Sequence, residues 1–142
     1  MEKFKKKTMK YVETEVDVFV ANDGKQFETE QECLNYEAQL EEREKRRAQL
    51  LIPELNGVLP AATNLGYCED DDFSWYRLNS EDDFEFLNEY YEDDLNEPGS
   101  YPEIICVQEQ YDHDENLSYL LTDIISDLNR FLGRFGYQAV EK

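Results

Sequence analysis

The chain has 142 residues, with 34 Asp or Glu against 14 Lys or Arg, a net charge of −20 and a pI near 4.2. The length suits one domain, and ten Tyr, eight Phe and one Trp provide core material that acidic disordered tails lack. The acidic balance argues against direct nucleic-acid binding, which needs clustered Lys and Arg. It also argues against a membrane role: anionic leaflets would repel it, and no apolar run approaches the roughly 20 residues of a span.

The basic start (Lys3, Lys5, Lys6, Lys7, Lys10) is not followed by an apolar stretch, so it does not read as a secretory signal. It reads as a mobile, dispensable tail drawn toward the acidic remainder. Cys33, Cys68 and Cys106 are odd in number and widely spaced, with no CxxC pair. They are expected as reduced, buried thiols in a cytoplasmic protein, not as a zinc or redox site.

From Thr8 to Ala21, Val12, Thr14, Val16, Val18 and Val20 alternate with Glu13, Glu15 and Asp17, which predicts a half-buried strand. Asn22-Asp23-Gly24 supplies hairpin turn chemistry, and Lys25 to Glu28 returns as a short second strand. Thr29 with Glu32 forms a capping box. Cys33, Tyr36 and Leu40 mark one face of the helix that follows, which runs to Leu51 before Pro53 stops it. Residues 53–68 read as a connecting loop with a short buried piece at Val58 and Leu59.

Phe73 to Asn79 is a predicted strand, with Phe73, Trp75 and Arg77 on one face and Ser74, Tyr76 and Leu78 on the other. Ser80 with Asp83 caps a helix to about Leu95 along the apolar line Phe84, Leu87, Tyr91, Leu95. Glu103 to Gln108 is near-continuously apolar and reads as a central strand. Leu117, Leu120, Leu121, Ile124, Leu128, Phe131 and Phe135 have helical spacing, and Tyr137 to Val140 reads as an edge strand. The fold class is therefore α+β: a β-hairpin and helix, then β-α-β-α(-β), with one mixed sheet covered by helices. The expectation is a single domain, 1–142, or two lobes, 1–52 and 69–142, joined by the loop 53–68.

The charge is unevenly placed. Residues 69–115 hold 18 acids and one base, Arg77, so −17 of the −20 lies in one third of the chain. Interleaved Lys would relieve that repulsion, worth about 1 kcal/mol per pair at 4 Å in water. On the helix after Ser80, Glu85, Glu89 and Asp93 recur at i,i+4, opposite the apolar line. Neighbours in such a row lie about 5–6 Å apart, comparable to phosphates along one nucleic-acid strand. The candidate partner-binding residues are Asp70, Asp71, Asp72, Glu81, Asp82, Glu85, Glu89, Glu92, Asp93 and Asp94.

Other chemistry is thin. Asp112-x-Asp114-x-Asn116 with Asp123 is spaced like calcium-loop ligands, but Leu117 stands where the sharp turn needs Gly. Helix capping by Asp114 or Asn116 accounts for the same residues, and Glu69 to Asp72 would gather a hard cation only weakly. His113 is the single histidine and has no nucleophile suggested by motif, and no phosphate loop or H-E-x-x-H is present. No catalytic residue, metal or cofactor is expected.

The run N-D-G-K-Q-F-E-T-E-Q-E-C-L-N-Y-E at residues 22–37 resembles a hairpin-to-helix module of small early proteins from phages of Gram-positive bacteria. Gly24 serves the turn, Phe27 the core, and Thr29 and Glu32 the cap. W-Y-R-L-N-S-E-D-D-F in the second half has a similar character. The resemblance implies an anti-defence inhibitor of the anti-CRISPR or anti-restriction kind. Such a protein would occupy the nucleic-acid groove of a host protein, a nuclease or repair enzyme, in the bacterial cytoplasm. The alternative is a phage interaction protein that binds through Tyr90, Tyr91, Tyr101 and Tyr111, with charge serving solubility.

Overall fold

The computed structural model describes residues 1–9, 13–60, 70–111 and 114–141. It divides the chain into two compact units, Met1–Arg46 and Arg47–Lys142. The α+β class holds, but the strands form two three-stranded antiparallel sheets where one mixed sheet was expected.

In the first unit, β1 (Glu2–Met9) pairs antiparallel with β2 (Glu13–Val20), from Glu2 opposite Val20 to Met9 opposite Glu13. The basic start is thus a strand and not a free tail, because β2 offers it a full ladder of backbone partners. Lys3 also lies 3.4 Å from the Asp17 carboxylate. Removing residues 2–7 would strip most of that ladder. β3 (Gln26–Phe27) pairs on the other side of β2. The turn between them needs Gly24, whose φ is +91°. Asp23 braces the turn, accepting from the Lys25 amide at 3.1 Å and from the Tyr36 hydroxyl at 2.5 Å. These two bonds, the Tyr36 one foremost, hold the Asp23 carboxyl below its usual range. Thr29 Oγ1 accepts from the Glu32 amide at 3.2 Å and caps α1 (Glu30–Leu50), the helix in which the unit boundary falls. The valine face is shallow: Val16 is 46% exposed. Val12 and Lys10 lie outside the described residues.

In the second unit, β4 (Asp72–Leu78), β5 (Glu103–Glu109) and β6 (Asn116–Leu120) form a sheet with β5 in the centre. Period-two alternation feeds both faces. Tyr76, Leu78, Ile105, Val107 and Leu120 enter one cluster, which α2 (Glu81–Tyr91) completes with Phe84, Phe86 and Leu87. Phe73, Trp75 and Cys106 enter the other, which α3 (Leu121–Gly133) closes with Ile124. The sheet is therefore sandwiched, with α2 and α3 on opposite faces. Residues 51–58 run along β4: the Ile52 amide donates to Trp75 O at 2.8 Å, and Trp75 Nε1 donates to Val58 O at 2.8 Å. That contact covers the outer edge of the sheet. It leaves Val58 and Leu59, expected to be buried, 44% and 37% exposed, while Pro60 is fully buried.

Three boundaries differ from expectation. α2 stops at Tyr91, four residues short of Leu95, because Glu92 turns left-handed (φ 52°, ψ 41°). Asn88 replaces the lost helical bonds, its carbonyl accepting from Asp93 N at 3.1 Å and its side chain from Leu95 N at 3.0 Å. Residues 116–120, read as the first turn of the last helix, pair with β5 as a strand. Residues 137–140 form no strand; Ala139 N instead donates to Asn129 Oδ1 of α3 at 2.7 Å.

Candidate partner-binding surface

The sequence of α2 explains its placement. Ser80 Oγ accepts from the Asp83 amide at 3.4 Å, and Asp83 reaches back to accept from the Asn79 amide at 2.9 Å. Glu81, Asp82 and Asp83 occupy the first turn, where the helix dipole favours them. Phe84 and Leu87 then face the sheet. Beneath the far end of the helix, the Tyr76 and Tyr91 hydroxyls lie 2.5 Å apart, and Arg47 Nε donates to Tyr76 at 2.8 Å. The Arg47 guanidinium also lies 5.4 Å from the centre of the Tyr90 ring. Burial, and then Tyr76, push the Tyr91 hydroxyl far above its ordinary 10, so it stays protonated and able to donate.

Eight of the ten candidate residues are exposed: Asp70, Asp72, Glu81, Asp82, Glu85, Glu89, Glu92 and Asp94. The other two hold the fold. Asp71 accepts from Gln108 Nε2 at 2.7 Å and from the Tyr111 amide at 2.9 Å. Asp93 lies beyond the helix end and accepts from the Asn116 amide at 2.8 Å. The i,i+4 row on α2 is therefore Glu81, Glu85 and Glu89, not Glu85, Glu89 and Asp93. Its eleven residues extend about 16 Å at 1.5 Å per residue.

One end of the sheet carries further acids. Asp72 pairs with Glu109 and Glu109 with Asn116 in register, and Asn116 N is the donor to Asp93. Burial, and then the like charge of Asp72, raise the Glu109 carboxyl above its ordinary 4.5; Arg47 and a hydrogen bond from Tyr91 act the other way. Folded Glu109 thus holds its proton more tightly than unfolded Glu109. Its contribution to stability is full below pH 4.5 and is lost as pH rises through the raised value. Glu109→Gln should flatten the melting temperature against pH between 4.5 and the raised value. An unchanged slope would show that another group titrates there.

The other candidates fare less well. Asn116 to Leu120 run extended along β5, which does not wrap an ion, and no group of three His, Cys, Asp or Glu suited to a metal occurs among the described residues. Glu69, Cys68, Asp112 and His113 lie outside those residues. Tyr90, Tyr91 and Tyr101 pack against the α2-side core, and of the four tyrosines only Tyr111 is exposed, at 69%. The Tyr101 hydroxyl is shielded from solvent without a hydrogen-bond partner among the described residues. Burial, and then Glu81, raise its pKa.

Sequence reasoning missed Arg47 as the brace under α2, since in sequence it is one base among several on a charged helix. It also gave no role to the outer face of α3. Compared with known proteins, the chain matches no family model, no curated protein and no solved structure.

Proposed function

We propose that the protein is a stoichiometric inhibitor whose acidic surface occupies the nucleic-acid-binding groove of a basic host protein, a nuclease or repair enzyme met during phage infection. The observation that carries this reading is the distribution of carboxylates along α2. Glu81 and Asp82 sit where the helix dipole welcomes them. Glu89 at the other end, with Glu92 and Asp94 just beyond it, faces the negative pole, and no basic residue occupies the last turn. Acids retained at an unfavourable end extend the row toward Asp72 at the cost of stability. A surface serving solubility alone has no need of that arrangement.

The tagged chain should capture its partner from a bacterial lysate at about 0.1 M salt and release it by about 0.5 M, as screening weakens charge pairing. Added duplex DNA should compete with the chain for the captured protein. Capture that resists both salt and DNA would overturn the proposal and favour an apolar contact.

A further inference from the structure

Asn56-Gly57 is the only Asn-Gly step in the chain, and it lies in the strap, residues 51–58, that runs along the outer edge of β4. The amide nitrogen that follows an asparagine can attack the side-chain carbonyl, and glycine, with no Cβ, shields that nitrogen least. At Gly57 (φ +79°) nothing lies within 4 Å of where a Cβ would stand, so the approach is open. The Asn56 side chain is exposed and has no hydrogen-bond partner among the described residues. We infer that Asn56 is a deamidation site of this protein, and that the Phe73 carbonyl holds the reaction in check while the strap is seated on β4.

Two features of the folded backbone impose that check. Gly57 N donates to Phe73 O at 2.9 Å, which engages the proton that the reaction must remove. Ring closure also needs Gly57 N to eclipse Asn56 Cβ, and at ψ 127° it stands well away from that position. Both restraints are released when the strap lifts. The bonds from Ile52 N to Trp75 O and from Trp75 Nε1 to Val58 O flank the same stretch and hold it down. The Asp23-Gly24 step has no such freedom, since Asp23 already accepts from Tyr36 and from the Lys25 amide.

The chemistry balances with water as the one co-reactant. Gly57 N bonds to Asn56 Cγ, the side-chain amine leaves with the Gly57 proton as ammonia, and a cyclic imide remains. Water then opens either carbonyl of the ring. The product carries a carboxylate, and its backbone runs either through Cα as before or, lengthened by a carbon, through Cβ. The imide has no N–H to return to Phe73, and the lengthened backbone cannot restore the register of the strap. The reaction therefore converts a transient lift into a strap that stays off, and it bares the β4 edge.

Peptide mass analysis of the full chain tests this, with samples held in mildly alkaline buffer with and without denaturing urea. The first mass gain from amide-to-acid conversion should fall on Asn56. It should be about tenfold or more slower in buffer than in urea, since only the lifted population reacts. Trp75→Phe keeps an aromatic ring in the core but removes the donor to Val58 O. It should speed the reaction in buffer and leave the rate in urea unchanged. Equal wild-type rates in buffer and urea would overturn the inference. So would a first conversion at another asparagine, such as Asn79 before Ser80, or a folded Trp75→Phe chain that converts no faster. The wild-type comparison decides the matter even where Trp75→Phe does not fold. None of these readouts involves a partner, so this inference and the inhibitor reading fail separately.

Discussion

Reversing Glu81, Glu85 and Glu89 to Lys should weaken capture of a basic partner about a hundredfold, while the melting temperature moves by no more than about 3 °C. Each contact charge carries about 1 kcal/mol at 4 Å in water, and three such losses amount to a factor of about 100. The substitutions move the net charge from −20 to −14, since each of the three changes it by two. All three side chains are exposed, and Lys is as good a helix former as Glu. Lys at position 81 gives up about 0.3–1 kcal/mol of dipole interaction, which relief of repulsion along the row offsets. Asp93→Lys is the internal contrast. It removes the acceptor of the Asn116 amide and should lower the melting temperature. If capture survives the triple reversal with the fold intact, the row is only a solvated face.

The opposite side of the same helix should respond in the opposite sense. Leu87 is fully buried in the cluster with Tyr76, Leu78, Ile105 and Val107. Leu87→Ala leaves a cavity where α2 meets the sheet and should cost about 2–5 kcal/mol. For a unit of this size each kcal/mol corresponds to about 4–8 °C, so the melting temperature should fall by about 8–40 °C. At temperatures where the variant is still folded, capture should be unchanged, since no carboxylate has been removed. A loss below about 1 kcal/mol would mean that α2 is not seated on the sheet through Leu87.

Local chemistry with a single structural solution was legible in the sequence. Asn22-Asp23-Gly24 makes the turn it predicts, Thr29 and Ser80 cap the helices they precede, and β5 lies in the centre as its unbroken apolar run implies. Readings failed where one pattern serves two structures. Leu117, Leu120 and Leu121 have helical spacing, yet five residues are too few to separate that period from alternation. The ladder to β5 decided for a strand. The end of α2 was hidden because its left-handed residue is Glu92, with no glycine to announce it. The lysine-rich start has Phe4 and Met9 but no apolar alternation, and only pairing with β2 makes it a strand.

The acidic row was half legible for the same reason. Spacing along a helix reveals which carboxylates share a face, but not where the helix stops. Glu81 therefore joined the row only once Asp93 was found to hold the strand beside it. Asp71 is likewise indistinguishable in sequence from Asp70 and Asp72, and only its bonds to Gln108 and Tyr111 separate it from them.

Among the described residues, the division into Met1–Arg46 and Arg47–Lys142 leaves one buried thiol in each part. Burial pushes Cys106 up to about 12, and burial followed by the Glu37 carboxylate raises Cys33, so neither reacts readily while its surroundings stay closed. Each therefore acts as a clock for the opening of its own unit. Pulsed alkylation followed by peptide mass analysis reads the two clocks separately, with the Cys68 peptide distinguishable by its mass. Equal rates would mean that the chain opens as one cooperative block. Unequal rates would mean that one half can unfold and refold while the other keeps its structure, a form of autonomy that sets how the protein survives proteases.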